Sequence, residues 1–454
     1  MKRQSSSISR RKFIKGAAAG SAAIGGSTIL SGCGFGWAKG AAGGLVVPPP
    51  SEKVVDQELL LPVSFTARTN DDSGLAIARA LADAYEAETG INVSMRGSGD
   101  TSVFQDEISE YLQENPSDAF QWMAGFRTNF RADQGLLVDL SANIKNLANE
   151  LPEGFVMGAT NPTDGKQYII PMTWYPWGLH YRKSILKSVG LDPEGLSNWD
   201  DLMKLLDGCK RKGLVGYALG DQGGWEAMGT FSSLNVRLNG YKYHIDLLNG
   251  RAKWTDEKTI DVFKQFALLI PYMNKDVLNI SWDGMKNMLL NKKCGAVMMG
   301  SWWADDFKER SQKDYEDLWI VSFPEINPDF GRDAIDAPVD GICVAANSSN
   351  PEGGAAFAEW CGSEAGMLAA QSAGDTSLYA NSRLDTSGYD SFNKQKVAIV
   401  REAKSVMNYL DRDCRADFSF TVGVQIQNFL KNPSDINKIV DELQSAWTEL
   451  DPVS

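Results

Sequence analysis

The 454-residue sequence predicts an α/β protein. Between residues 61 and 123 short apolar segments alternate with segments whose apolar residues recur at helical spacing, in the order strand, helix, strand, helix, strand. That order implies parallel strands joined by helices that cover the sheet. A second run of the same kind lies around residues 168–219. The composition, 43 % apolar and 10 % aromatic, belongs to a folded chain with ample core, and the length suggests two or three domains.

Residues 1–33 read as an address. Ser9-Arg10-Arg11-Lys12-Phe13-Ile14-Lys15 fits the twin-arginine export pattern, and Gly16 to Leu30 is an uncharged Ala/Gly/Ile stretch. About 15 weakly apolar residues are too few to span a bilayer, so the segment is a signal peptide rather than a membrane helix. Leu30-Ser31-Gly32-Cys33 resembles a lipoprotein processing box, which makes Cys33 the expected lipidation site. Residues 34–60, with Gly43-Gly44 and Pro48-Pro49-Pro50, read as a flexible tether; such a chain spans on the order of 25 to 30 Å.

In the body, 61–67 alternates as a strand, and Leu75, Ala78, Leu81, Ala82 and Tyr85 trace a helix that Gly90 ends. Ile91 to Met95 reads as a strand, Phe104 to Leu112 as a helix and Ala119 to Met123 as a strand. Tyr168 to Pro171 and Val215 to Leu219 are strands flanking a helix from Trp199 to Cys209, with Asn198 as its N-cap. Ile260 to Ile270 is helical, Ala296 to Met299 and Trp319 to Phe323 are strands, and the chain is mostly helical from Glu352 onward.

Lys plus Arg number 45 against 58 Asp plus Glu, a net charge of -13. Residues 1–32 hold six basic residues and no acid, so without them the balance is 39 against 58, or -19. A body of that charge repels nucleic acid and anionic lipid. With only His180 and His244, a multi-histidine metal site is not expected, and no cofactor or metal is called for. Cys209, Cys294, Cys343, Cys361 and Cys414 are an odd set without a CxxC; buried thiols are expected, with one disulfide open.

Three stretches carry a resemblance to a known family. They are Leu219-Gly220-Asp221-Gln222-Gly223-Gly224-Trp225 with Asn239-Gly240-Tyr241; Gly295-Ala296-Val297-Met298-Met299-Gly300-Ser301-Trp302; and Ser348-Ser349-Asn350-Pro351-Glu352-Gly353-Gly354-Ala355-Ala356-Phe357 leading into Trp360. Trp199-Asp200-Asp201-Leu202 also fits. In order and spacing they resemble the family-one extracytoplasmic solute-binding proteins of carbohydrate ABC transporters, the group of maltose- and multiple-sugar-binding lipoproteins. The resemblance implies a two-lobed, periplasmic-binding-protein-like fold, each lobe a mainly parallel sheet flanked by helices, hinged about a ligand cleft. Its layout puts 61–173 and 324–372 in one lobe and 174–323 and 373–450 in the other. It implies capture of a neutral mono- or oligosaccharide by lobe closure and delivery to ABC permease subunits. A monomer held at the outer face of the cell membrane by lipid alone is expected, and no covalent step.

The residues have chemistry for that task. A pyranose offers C–H faces to aromatic rings and hydroxyls to donors and acceptors. Trp174, Tyr175 and Trp177 cluster at the end of a strand, where open α/β sheets bind ligands; Trp174 and Trp177 suit a core equally well. By family position Tyr175 and Trp302 face the cleft, with Trp303 packed inside, and Trp225 matches a further ligand loop. Asp100 is a polar candidate that serves equally as a helix N-cap, and Trp122, Phe126 and Arg127 follow the third strand on the same edge. Asp340 is an acceptor candidate beside Asp336, which reads as solvated. Arg412 and Asp413 lie in a charge cluster where the family contributes contacts, although such clusters are commonly solvated faces.

Two other readings compete. A secreted glycoside hydrolase needs two carboxylates about 5 to 10 Å apart, and the sequence leaves a pair such as Asp336 and Asp340 open. No GxSxG, HExxH, P-loop or GxGxxG motif supports an enzyme. The same fold could instead take a polyamine, a peptide or chelated iron.

Overall fold

The computed structural model describes residues 61–69, 72–375 and 377–450. The signal peptide, Cys33 and the tether lie outside the described residues.

In chain order the strands are β1 (Val63–Ala67), β2 (Val93–Gly97), β3 (Ala119–Met123), β4 (Ile170–Trp174), β5 (Trp177–Arg182), β6 (Val215–Ala218), β7 (Cys294–Gly300), β8 (Leu318–Val321), β9 (Ala334–Asp336), β10 (Val339–Val344), β11 (Leu378–Tyr379) and β12 (Ser405–Met407). One sheet has the order β11-β4-β10-β3-β1-β2 and the other β6-β7-β5-β8, while β12 and β9 form a short parallel pair. Each of the two main sheets is the centre of a lobe. The helices Asp72–Thr89 and Pro351–Gly362 cover the first, and Trp199–Arg211, Trp282–Leu290 and Ser391–Glu402 cover the second.

The sheets are mixed rather than mainly parallel. Within the two main sheets parallel pairing is confined to β1 with β2, β1 with β3, and β6 with β7. The antiparallel ladders are β10 with β3 and β4, β11 with β4, and β5 with β7 and β8. The reason lies in the connectivity. β5 and β10 are the strands by which the chain enters a sheet from the other lobe, so each starts at the facing edge and runs away from it. Their neighbours run toward that edge, and the pairing is antiparallel. β11, beyond the expected boundary at residue 372, pairs with Trp174 and Thr173 of the first sheet. β4 and β5 lie in different sheets although only Tyr175 and Pro176 separate them, so this dipeptide is one chain crossing.

Local signals explain the elements. Asn198 accepts from the backbone N–H of Asp201 at the start of the helix Trp199–Arg211, with Asp200 and Asp201 in its first turn and Lys210 and Arg211 in its last. Cap and charges both suit the helix dipole. Its buried face is Leu202, Leu205, Leu206 and Cys209, which fits the 3.6-residue period. All five described cysteines are free and buried. Gly341 sits where β10 shifts register against β4, and a Cβ there would lie 2.0 Å from the Ile170 carbonyl oxygen; only glycine permits that approach.

The second lobe encloses a charge. Arg182, at the end of β5, is 0 % exposed. Its Nε donates to Asp317 at 2.9 Å, it is also paired with Asp314, and it donates to the Leu290 carbonyl at 3.2 Å. Burial works to raise the Asp317 pKa, but the Ser184 hydroxyl, Arg182 and Lys292 overcome it and hold the carboxyl at about 2. Replacing Arg182 with Met strands two partly buried acids, and the expected loss is roughly 3 kcal/mol, read as a lower urea midpoint at neutral pH. Since the folded pKa of Asp317 is depressed, this difference should shrink as pH falls from about 4 toward 2. Equal midpoints would mean that the pair contributes nothing.

Candidate functional site

The facing ends of β4, β7 and β10 frame a trough between the two sheets. One compartment, of about 260 Å³, is lined by Thr173, Trp174 and Tyr175 from the β4 end, Asp340 from β10, Ser301, Trp302 and Lys308 after β7, and Lys396 from the helix Ser391–Glu402. A second, of about 250 Å³, is lined by Arg68, Gln121, Trp122 and Met172. The two share Thr173, Asp340 and Ser377, so they are continuous.

Trp302 reaches this place because β7 ends in a tight 3-10 turn, Ser301–Ala304, that sends adjacent indoles in opposite directions. Trp303 is 1 % exposed and Trp302 is 40 % exposed. Trp282 braces the Trp302 ring edge-on, with centroids 4.9 Å apart. The Trp302 indole is thus partly open beside the cavity.

Opposite it stands a charge network. Asp340 accepts from Arg412 at 2.8 Å and from Arg68 at 3.2 Å. Arg412 also donates to the Tyr175 hydroxyl at 3.0 Å. Burial works against the Arg412 charge, yet Asp340, Tyr175 and Asp411 together hold its pKa above the ordinary value. Burial pushes Tyr175 up to about 12, with Arg412 pulling the other way, so the hydroxyl stays protonated. The Ser301 hydroxyl and the Arg68 Nε–H, both lining the trough, are buried without a hydrogen-bond partner in the protein. Buried polar groups are normally satisfied.

Of the residues singled out from sequence, the structure brings Trp302, Tyr175, Asp340, Trp174 and Trp122 to the trough and sets Arg412 directly behind it. Trp174 and Trp122 are 5 % and 2 % exposed, and the Trp174 Nε1–H goes to the Tyr379 carbonyl, so both are chiefly core. Trp177 is buried and stacks on Tyr409 at 4.2 Å, and Trp225 meets both edge-on at 6.2 Å. That cluster lines neither compartment.

The others lie elsewhere. Asp100 accepts from the Val103 N–H at 3.1 Å, as a cap, in a separate groove with Glu107 and Glu110. Phe126 stacks on Phe130 and shares a different small cavity with Asp413. Arg127 donates to Gln105 and pairs with Asp411 at 3.5 Å. Asp413 accepts from the Asn408 backbone and side chain, and burial raises its pKa to about 6. Asp336 corrects the sequence reading: it is 2 % exposed rather than solvated, because β9 carries it into the interior beside β12, and burial raises its pKa well above the usual value. Sequence reasoning missed Arg68, Lys308 and Lys396. Arg68 was findable, since it directly follows β1 at the same edge as Asp340; the two lysines depend on which way a helix faces.

Among the described residues no group of His, Cys, Asp and Glu is placed to hold a metal ion, and no helix is long and apolar enough to cross a membrane. Both histidines are buried, which pushes their pKa down to about 3.

Comparison with known proteins agrees with this geometry. The bacterial solute receptor AcbH, described as having an exclusive preference for β-D-galactopyranose, superposes with a TM-score of 0.78 at 29 % identity, over 85 % of this chain and 97 % of that one. A family 1 extracellular solute-binding protein from Bifidobacterium longum subsp. infantis shares the fold at 20 % identity and a TM-score of 0.71, over 86 % of this chain and 99 % of that one. An uncharacterized ABC transporter extracellular-binding protein of Pyrococcus horikoshii is 24 % identical over 69 % of this chain and 70 % of its own length. A probable sugar-binding periplasmic protein of Brucella melitensis is 25 % identical over 51 % of this chain and 55 % of its own. The family model described as bacterial extracellular solute-binding protein matches residues 70–368, and the chain belongs to that family.

Proposed function

We propose that this chain is the sugar-capturing subunit of an ABC importer, which takes a small neutral carbohydrate into the trough, closes its lobes and presents the closed form to a membrane permease. The observation that carries this is the pairing of an open indole, Trp302, with converging polar groups of which Ser301 and Arg68 retain unused buried donors. A sugar ring supplies a C–H face for the indole and hydroxyls for those donors. The likeness to a β-D-galactopyranose receptor supports a hexopyranose as the first ligand to try. The family's extracellular character supports export; the twin-arginine route, anchoring through Cys33, a monomer, and lobes of 61–173 with 324–372 and 174–323 with 373–450, the first extended to take in β11, belong to the same proposal.

Binding without turnover is favoured over hydrolysis by the state of the acids. Asp336 lines neither compartment, and Asp340 is held by two arginines, so the two carboxyls are not both presented to a substrate as a glycosidase requires. A thermal-shift panel of mono-, di- and trisaccharides tests the proposal: stoichiometric stabilisation by a sugar that is recovered unchanged is expected, whereas cleavage of a glycan or silence across the panel would refute it.

Trp302→Ala should weaken sugar affinity by about tenfold, which is about 1.4 kcal/mol, with unfolding unchanged, since the ring is open to solvent. Calorimetry showing wild-type affinity would remove Trp302 from the site. Arg412→Lys keeps the charge but loses the planar fork that serves Asp340 and Tyr175 together. The expected result is again a loss of about tenfold, and equal affinity would show that the fork does not order the pocket.

A further inference from the structure

Behind the indole wall lie two buried acids for which sugar binding has no direct use. Asp221 is 0 % exposed and Glu226 is 1 % exposed. Asp221 Oδ1 accepts from the Ala227 N–H at 2.9 Å, in the first turn of the helix Glu226–Leu248. Glu226 Oε1 accepts from the Trp282 N–H at 3.2 Å, and Oε2 from the Trp225 N–H at 3.3 Å. The two carboxyl groups are within hydrogen-bonding reach of one another. Asp221 Oδ2 is buried and receives no N–H or O–H donor from the protein.

The surroundings bring no cation to the pair. From the helix Ala416–Lys431 the Gln427 amide donates to the Asp221 carbonyl at 2.6 Å. In the segment before Trp282, Asp276 accepts from Asn274 at 2.8 Å. On the helix Trp282–Leu290, Lys286 is taken by Asp283 and Asp306. The Tyr409 hydroxyl donates to the Trp225 carbonyl. Of the side chains around Asp221, Gln427 works to lower its pKa and Glu226 to raise it. Two bare carboxylates in such a place repel, and a single proton between them turns the contact into a hydrogen bond.

We propose that Asp221 and Glu226 share one proton, and that by keeping the Glu226 carboxylate on the N–H groups of both Trp225 and Trp282 it positions the wall on which Trp302 rests. Trp282 is the ring that braces Trp302, so displacement of the Trp282 backbone moves the exposed indole. Both acids act as positioning residues, since neither lines the trough. Burial, with the Glu226 charge adding to it, raises the Asp221 pKa, and burial raises Glu226 as well. Groups raised in the folded state contribute stability that is present below the ordinary carboxylate range and lost as pH climbs through the raised folded value. The role assigned to the wall rests on the sugar reading above; the sharing of the proton does not.

The test is acrylamide quenching of tryptophan emission in the ligand-free full chain from about pH 5.5 to about pH 9. The wild type should show one transition between those limits, with greater quenching above it than below. In Asp221→Asn the amide supplies an N–H where the proton stood, so the transition should vanish and the low-pH signal persist. In Glu226→Gln an NH₂ group opposes a backbone N–H, and the high-pH signal should hold throughout. A flat wild-type profile, or an unchanged transition in either variant, overturns the proposal, and the wild-type result decides even if a variant misfolds. With D-galactose as probe, wild-type affinity should fall at least threefold between about pH 6 and about pH 8.5 and stay level in Asp221→Asn. A quenching transition without D-galactose binding at any pH would support proton sharing and count against galactose as the ligand.

Discussion

Asp340 is held by two arginines from opposite ends of the chain, Arg68 and Arg412, and the order of the trough depends on that grip. The three residues lie on the end of β1, the start of β10 and the segment after β12, which sequence separates by 272 and 72 positions. One carboxylate cannot satisfy two guanidinium forks, so donors are left over, and Arg412 spends one on Tyr175. Two guanidinium groups thus face one carboxylate at this point, inside a body whose formal charge is strongly negative. The excess is local to a partly enclosed site, where charges are screened less than at the surface. This makes the trough a donor-rich surface, suited to the oxygens of a polyhydroxylated ring.

The same network sits beside the crossing between the sheets. Tyr175 lies in the dipeptide that joins β4 to β5, and its hydroxyl is tied to Arg412 near the end of the described chain. β5 and β10 each begin at the facing edge, so the first residues of both strands and the last residues of β4 and β7 are gathered at one level. Mixed pairing is thus the geometric condition that brings Tyr175, Asp340 and Trp302 together. A sheet paired only in parallel would require each returning chain to cross over before entering it.

Much of this was legible beforehand where local rules govern. The 119–123 strand and the Asn198 cap follow from a short apolar segment and capping chemistry, while the opposed fates of Trp302 and Trp303 were read from the family resemblance. Strand direction was not legible, because it depends on which edge a chain enters from, and periodicity is silent on that. Asp336 was misjudged for a related reason: the β9–β12 pairing that buries it joins residues far apart in sequence. Asp100 and Asp413 show the complementary limit. A carboxylate near a ligand edge and one capping a turn look the same in a string of letters, and only the donor that faces each distinguishes them.

Under the proposed function, lobe closure would follow from where the lining groups are carried. Thr173 and Asp340 belong to the first sheet, while Ser301, Trp302 and Lys308 follow β7 of the second. A ligand touching both sets has more contacts in the closed arrangement than in the open one, and that difference in affinity is what shifts the population. A shift from one per cent closed to ninety-nine per cent needs about 5.5 kcal/mol of differential binding. The indole alone, at roughly 0.5 to 1.5 kcal/mol, falls short. Most of the shift must come from hydrogen bonds that a closed site makes in the absence of water, each worth about 1 kcal/mol net. The unsatisfied donors of Ser301 and Arg68 are accordingly as important to closure as the aromatic wall that first identifies the site.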